Sequence, residues 1–102
     1  MIRNTKLYYF MDKDYTPIKE SLESNIDLHY MEERIAIFRH TKDSLNEYYV
    51  ILSADDKVDK IIEENGGKIA GTNDSYKTRI KNDYPLGELL FGNEGLLNFN
   101  LI

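Results

Sequence analysis

His29 and His40, with Glu32 and Glu33 beside the first, are the side chains whose types could bind a metal or move a proton near neutral pH. Their spacing argues against it. Zinc sites place paired histidines about three to five positions apart or add thiolates, whereas these stand eleven apart in a chain without cysteine. A small hydrolase or nuclease built on His29, His40 and Glu32 is therefore the secondary reading. No glycine-rich phosphate loop and no Gly-x-Ser-x-Gly elbow occurs, and Gly66-Gly67-Lys68 fits a helix stop better than a phosphate cradle. Carboxylates are plentiful, but no pair sits in an apolar stretch that would raise a pKa for acid catalysis. The chain is expected to be no enzyme, with no catalytic residue, no metal and no cofactor.

Recognition is the better use of these residues. Eight tyrosines in 102 residues is a high count, and tyrosine is favoured where one end of a side chain packs while the other meets a partner. Sliding the chain along itself by 40 positions pairs Tyr8 with Tyr48, Tyr9 with Tyr49, Glu23 with Glu63, Asn25 with Asn65, Arg39 with Arg79 and Asp43 with Asp83. The same shift sets Ile18 and Leu22 on Val58 and Ile62, the apolar face of a short helix in each half. A period of this size is the mark of tandem supersecondary units. Two such units leave a groove between them. Tyr8, Tyr48, Arg39 and Arg79 are its expected contacts to an extended peptide, the arginines meeting carboxylates.

The elements that must position these residues follow from local signals. Leu7 to Met11 and Glu47 to Leu52 read as strands, the first apolar on both parities and so covered on both faces. Asp12 to Tyr15 reads as a turn, and Thr16-Pro17 as the opening of a helix that ends near Asn25 or Ile26. His29 to Met31 and Arg34 to Thr41 read as two further strands. Ser53 to Asp56 is a capping box before the Val58, Ile61, Ile62 helix, which Asn65-Gly66-Gly67 ends. Lys68 to Gly71 and Ser75 to Lys81 read as strands around a turn at Thr72-Asn73-Asp74. Glu88 to Phe91 and Leu96 to Ile102 read as a hairpin about Gly92 to Gly95. The expected architecture is one α+β domain over 1–102. It holds two tandem strand–helix–strand(–strand) units of about 40 residues, at 6–43 and 46–83, and a C-terminal β-hairpin over 84–102.

Charge narrows the partners. The net charge is −5, and residues 82–102 carry three acids and no base. Affinity for phosphates needs a basic cluster, so neither nucleic acid nor an anionic membrane is an expected partner. No apolar run nears the roughly 18 residues a membrane helix needs, and no secretory signal opens the chain. A protein or peptide partner, a cytoplasmic setting and a monomeric or homodimeric state are expected, with a self-associating structural subunit as a third reading.

Two resemblances bear on this. Tyr8-Tyr9-Phe10 before a turn and helix resembles the opening strand of small GIY-YIG nucleases, but the glycine-rich second strand and the catalytic arginine have no counterpart here. The length, the Asn-, Lys- and Tyr-rich composition without Cys or Gln, and the shared Tyr-Tyr, Glu-x-Asn and Arg of the two halves resemble small proteins of lipothrixviruses, filamentous viruses of thermoacidophilic archaea. That resemblance implies a viral protein in a host cytoplasm, without enzymatic activity and with two similar motifs.

Overall fold

The structure, a computed structural model, describes residues 5–41, 47–71 and 88–97. It is α+β. In chain order it runs through β1 (Lys6–Met11), α1 (Asp12–Asn25), α2 (Leu28–Arg34), β2 (Ile35–Thr41), β3 (Glu47–Ser53), α3 (Asp56–Glu64), β4 (Ile69–Gly71), β5 (Glu88–Gly92) and a 3-10 turn at Glu94–Leu97. The strands form an antiparallel sheet in the order β4-β1-β3-β2-β5. The first four strands and their helices have the connectivity of the split βαβ, or ferredoxin-like, arrangement. None of the described helices is long and apolar enough to cross a membrane.

Both central strands are apolar on both parities because both faces of the sheet are buried. Tyr8, Phe10, Tyr49 and Ile51 face the helices and meet Tyr15, Ile18 and Leu22 of α1, Met31 of α2, and Val58 and Ile62 of α3. Leu7, Val50 and Leu52 point the other way and join Ala36 and Phe38 in a second cluster.

Helix α1 begins four residues before the expected Thr16-Pro17 start. Asp12 to Tyr15 is its first turn, not a separate turn, because that places Tyr15 in the core with its ring 4.0 Å from that of Tyr49 and nearly parallel to it. Asp12 and Asp14 suit the positive end of the helix. The Thr16 hydroxyl donates back to the Asp12 carbonyl rather than capping, and Pro17 inside the helix leaves the Lys13 carbonyl without its usual donor. His29 to Met31, expected as a strand, belongs to α2. Asp27 caps that helix by accepting from the N–H groups of His29 and Tyr30 at 2.9 and 3.2 Å.

Helix α3 is capped by Asp55, not Ser53. It ends as expected at Gly66, whose φ of +93° glycine adopts without strain. Gly92 closes β5 at φ +101°, where a Cβ would lie 2.0 Å from the Ile35 carbonyl oxygen. Just beyond it, Asn93 donates from its backbone to Ile35 and from its side chain to the Glu33 carbonyl. Leu96 and Leu97 lie in the 3-10 turn rather than in the expected second hairpin strand, and 98–102 are outside the described residues.

The proposed repeat fares unevenly. The shift by 40 does match buried helix positions, since Ile18, Leu22, Val58 and Ile62 are all core. It fails in the strands. Tyr8 lies opposite Ile51 in the sheet and faces the helices, whereas Tyr48 lies opposite Met11 and faces away. The helix-facing residues are Tyr8 and Phe10 in β1 but Tyr49 and Ile51 in β3, an odd offset, whereas the buried helix positions are offset by 40. No single shift therefore carries both strand and helix onto their counterparts. Among the described residues α2 also has no equivalent in the second half, and the expected strand at Ser75 to Lys81 lies outside them.

Candidate functional site

Three elements diverge at one side of the helical layer and leave a cleft of about 290 Å³. Helix α1 contributes Tyr15 and Leu22 from its core stripe, with Lys19 and Glu23 one turn apart at the rim. Helix α2 contributes Leu28 and Met31, and Ile37 of β2 forms the floor. The remaining wall is β5, placed by a β-bulge. Ile37 pairs with Phe91 and Phe38 with Leu89, so Leu90 is an extra residue on β5. A bulge re-aims a side chain out of the regular alternation, and here Leu90 and Phe91 both line the cleft.

The wall α2 is held from behind. The Tyr30 hydroxyl donates to Asp55 Oδ2 at 2.5 Å, Arg34 Nε lies 3.7 Å from the same oxygen, and the Arg34 guanidinium sits 3.8 Å above the Tyr30 ring. Asp55 simultaneously accepts from the N–H groups of Lys57 and Val58. One carboxylate thus starts α3 and anchors α2.

The cleft is apolar but its mouth is not closed. Leu28 is 54% exposed and Leu90 41%, and with Met11 they are the exposed large apolar side chains among the described residues. Among the described residues its polar groups are few. Lys19 Nζ stands 3.9 Å from Glu23 Oε1, too far for a hydrogen bond. Burial, then Tyr49 and Glu23, push the Tyr15 phenol up to about 12, so Tyr15 stays a neutral hydroxyl at physiological pH.

The residues singled out from sequence are not brought together. Tyr8 is fully buried, and its hydroxyl donates to Glu63 Oε2 at 3.1 Å. Lys6 Nζ stands 3.7 Å from Asp59 Oδ2 and 3.9 Å from Glu63 Oε2. Burial and these two carboxylates raise the Tyr8 pKa. Tyr48 is half-buried on the opposite face, with its ring 5.2 Å from that of Tyr9. Arg39 points to the helical side and hydrogen-bonds Glu88 of β5, which raises its pKa. Arg79 is outside the described residues.

His29 is almost fully exposed on α2, with Nδ1 4.0 Å from Glu32 Oε2, while His40 lies on β2 opposite Tyr48. Among the described residues no group of three His, Asp or Glu side chains could hold a metal ion. Sequence reasoning missed Tyr15, Leu28 and Leu90. The first was assigned to a turn, and the other two carry no signal until α2 and the bulge are known. Comparison with family models, curated proteins and solved structures finds none that matches this chain.

Proposed function

We propose that this protein is a non-enzymatic interaction module that takes an apolar side chain of an extended protein segment into the cleft between α1, α2 and β5. The observation that carries this reading is the exposure of Leu28 and Leu90 at the mouth of one cavity. Each Å² of apolar surface left in water costs about 25 cal/mol, and clustered exposure of this kind marks a binding surface. The groove first expected between two repeat units is replaced by one within the first unit, closed by β5.

Entry of a side chain fits better than addition of a whole strand. Both outer strands of the described sheet are bulged, β5 at Leu90 and β4 at Ala70, and a bulge interrupts the regular ladder that an added strand needs. The acidic net charge and the burial of Leu7, Val50 and Leu52 on the second sheet face weigh against a nucleic-acid platform there.

Amide chemical-shift mapping with a short apolar peptide tests the proposal. Perturbations should centre on Tyr15, Leu28, Leu90 and Phe91, and Leu90→Ser should weaken binding while Met11→Ser does not. Perturbations that avoid these four residues overturn the assignment. A concentration-dependent dimer abolished by Leu90→Ser also overturns it, because the cleft would then be filled by a second copy.

A further inference from the structure

We infer, building on that cleft, that the apolar group it takes is flanked by a cation, so that the partner segment pairs a large apolar side chain with a neighbouring lysine or arginine. The argument is the charge of the cleft's own walls. Among the described residues, the charged side chains lining it are Lys19 and Glu23, and both are about half exposed in a loose ion pair. Pairs of this kind, one helical turn apart and open to water, hold weakly, so an incoming cation competes with Lys19 for Glu23 on nearly equal terms.

The surrounding elements carry a surplus of acid. Along α1 stand Asp12, Asp14, Glu20 and Glu23 against Lys13 and Lys19. On α2, Glu32 lies one turn beyond Leu28 and next to Met31, on the flank of the helix face that lines the cleft. Its ion-pair neighbour is His29 at 4.0 Å, charged only when protonated. Arg34, the base of α2, is turned away onto Asp55 and Tyr30. On β5, Glu88 is already paired with Arg39. Among the described residues, Glu23 at the rim and Glu32 one turn from Leu28 are therefore not matched by an equal number of uncommitted cations. An acidic flank on the partner would meet like charge, and such mismatches supply specificity.

The test uses the full chain and two peptides, acetyl-Lys-Leu-Phe-Leu-Lys-amide and its counterpart with glutamate in place of both lysines, followed by fluorescence or chemical shift. The cationic peptide should bind more tightly. Each exposed pair contributes up to about fivefold, so Glu23→Gln and Glu32→Gln should each reduce the preference by several-fold. Raising the salt concentration should erode it further. Both variants alter exposed positions and should leave the fold intact.

If the two peptides bind equally and neither glutamine variant matters, while Leu90→Ser weakens both, the cleft stands and the cation inference falls. If Leu90→Ser leaves both peptides unaffected, the cleft reading itself falls.

Discussion

Replacing Asp55 by alanine should cost far more than the loss of one surface carboxylate, because this residue does two jobs at once. Its Oδ1 accepts from the N–H groups of Lys57 and Val58 at 2.9 and 3.1 Å, and its Oδ2 accepts from Tyr30. Loss of an N-cap costs about 0.5–2 kcal/mol, and loss of a hydrogen bond to a charged group about 1.5–3 kcal/mol. The Arg34 contact at 3.7 Å adds little, since that arginine is 38% exposed. The expected total is about 2–5 kcal/mol, read as a lowered urea midpoint with an unchanged slope.

Asp55→Asn separates the two jobs, because asparagine still caps well but brings no charge to Tyr30 and Arg34. Its cost should be the smaller. The pH dependence gives a second readout. Burial opposes the charge on Asp55, but the Tyr30 hydroxyl, the N–H groups of Val58 and Lys57, and Arg34 outweigh it and hold the carboxyl below its ordinary 3.8. A depressed folded pKa means stability that is present above pH 3.8 and lost as the pH falls through the folded value. The gap between wild type and Asp55→Asn should therefore narrow on acidification. A change of less than about 0.5 kcal/mol for Asp55→Ala, the size of an ordinary surface substitution, would refute the claim that this carboxylate couples α2 to α3.

Three further outcomes are expected. Leu22→Ala and Ile62→Ala, at core positions with at most 1% exposure, should each destabilise by about 2–5 kcal/mol in denaturant titration. Gly→Ala stabilises by up to about 1 kcal/mol at a compatible site, but Gly92→Ala should destabilise by more than that, because its φ is +101° and a Cβ would strike the Ile35 carbonyl; a neutral result would show that the end of β5 is not held against β2. Alkaline titration should leave Tyr15 un-ionised until near pH 12. Since the folded state holds that proton more tightly, stability should decline as pH rises from the ordinary value of 10 toward 12; phenolate absorbance showing every tyrosine ionised near pH 10 with the fold intact would contradict its burial.

Much of the framework was legible in the sequence because it depends on neighbours along the chain. The two-parity apolar run at Leu7 to Met11, the strand at Glu47 to Leu52, the Ile18/Leu22 and Val58/Ile62 stripes, and the glycine stop at Gly66 are local patterns, and each appears in the structure. The α2 error was also local. Asp27 offered a cap, but seven residues containing His29 and Tyr30 give a helix too short for periodicity to outweigh their strand-like character. Tyr15 was misplaced for a different reason. Helix α1 starts early to bury that ring on Tyr49, a residue of another strand.

The tyrosine pairing at a 40-residue shift shows the limit of identity without geometry. Side chains alternate across a strand, and the helix-facing sets, Tyr8 and Phe10 in β1 but Tyr49 and Ile51 in β3, differ by an odd number of positions, so a 40-residue shift leaves Tyr8 and Tyr48 on opposite faces of one sheet. The cleft lay wholly beyond the sequence. Its members come from two helices, an inner strand and a bulged outer strand, and the exposure of Leu28 and Leu90 is a relation among those elements once assembled. Composition and periodicity therefore determined that this chain folds as an α+β domain with a sheet buried on both faces. Only tertiary packing decided which apolar side chains are left at the surface, because burial depends on what stands opposite a residue and not on what precedes it.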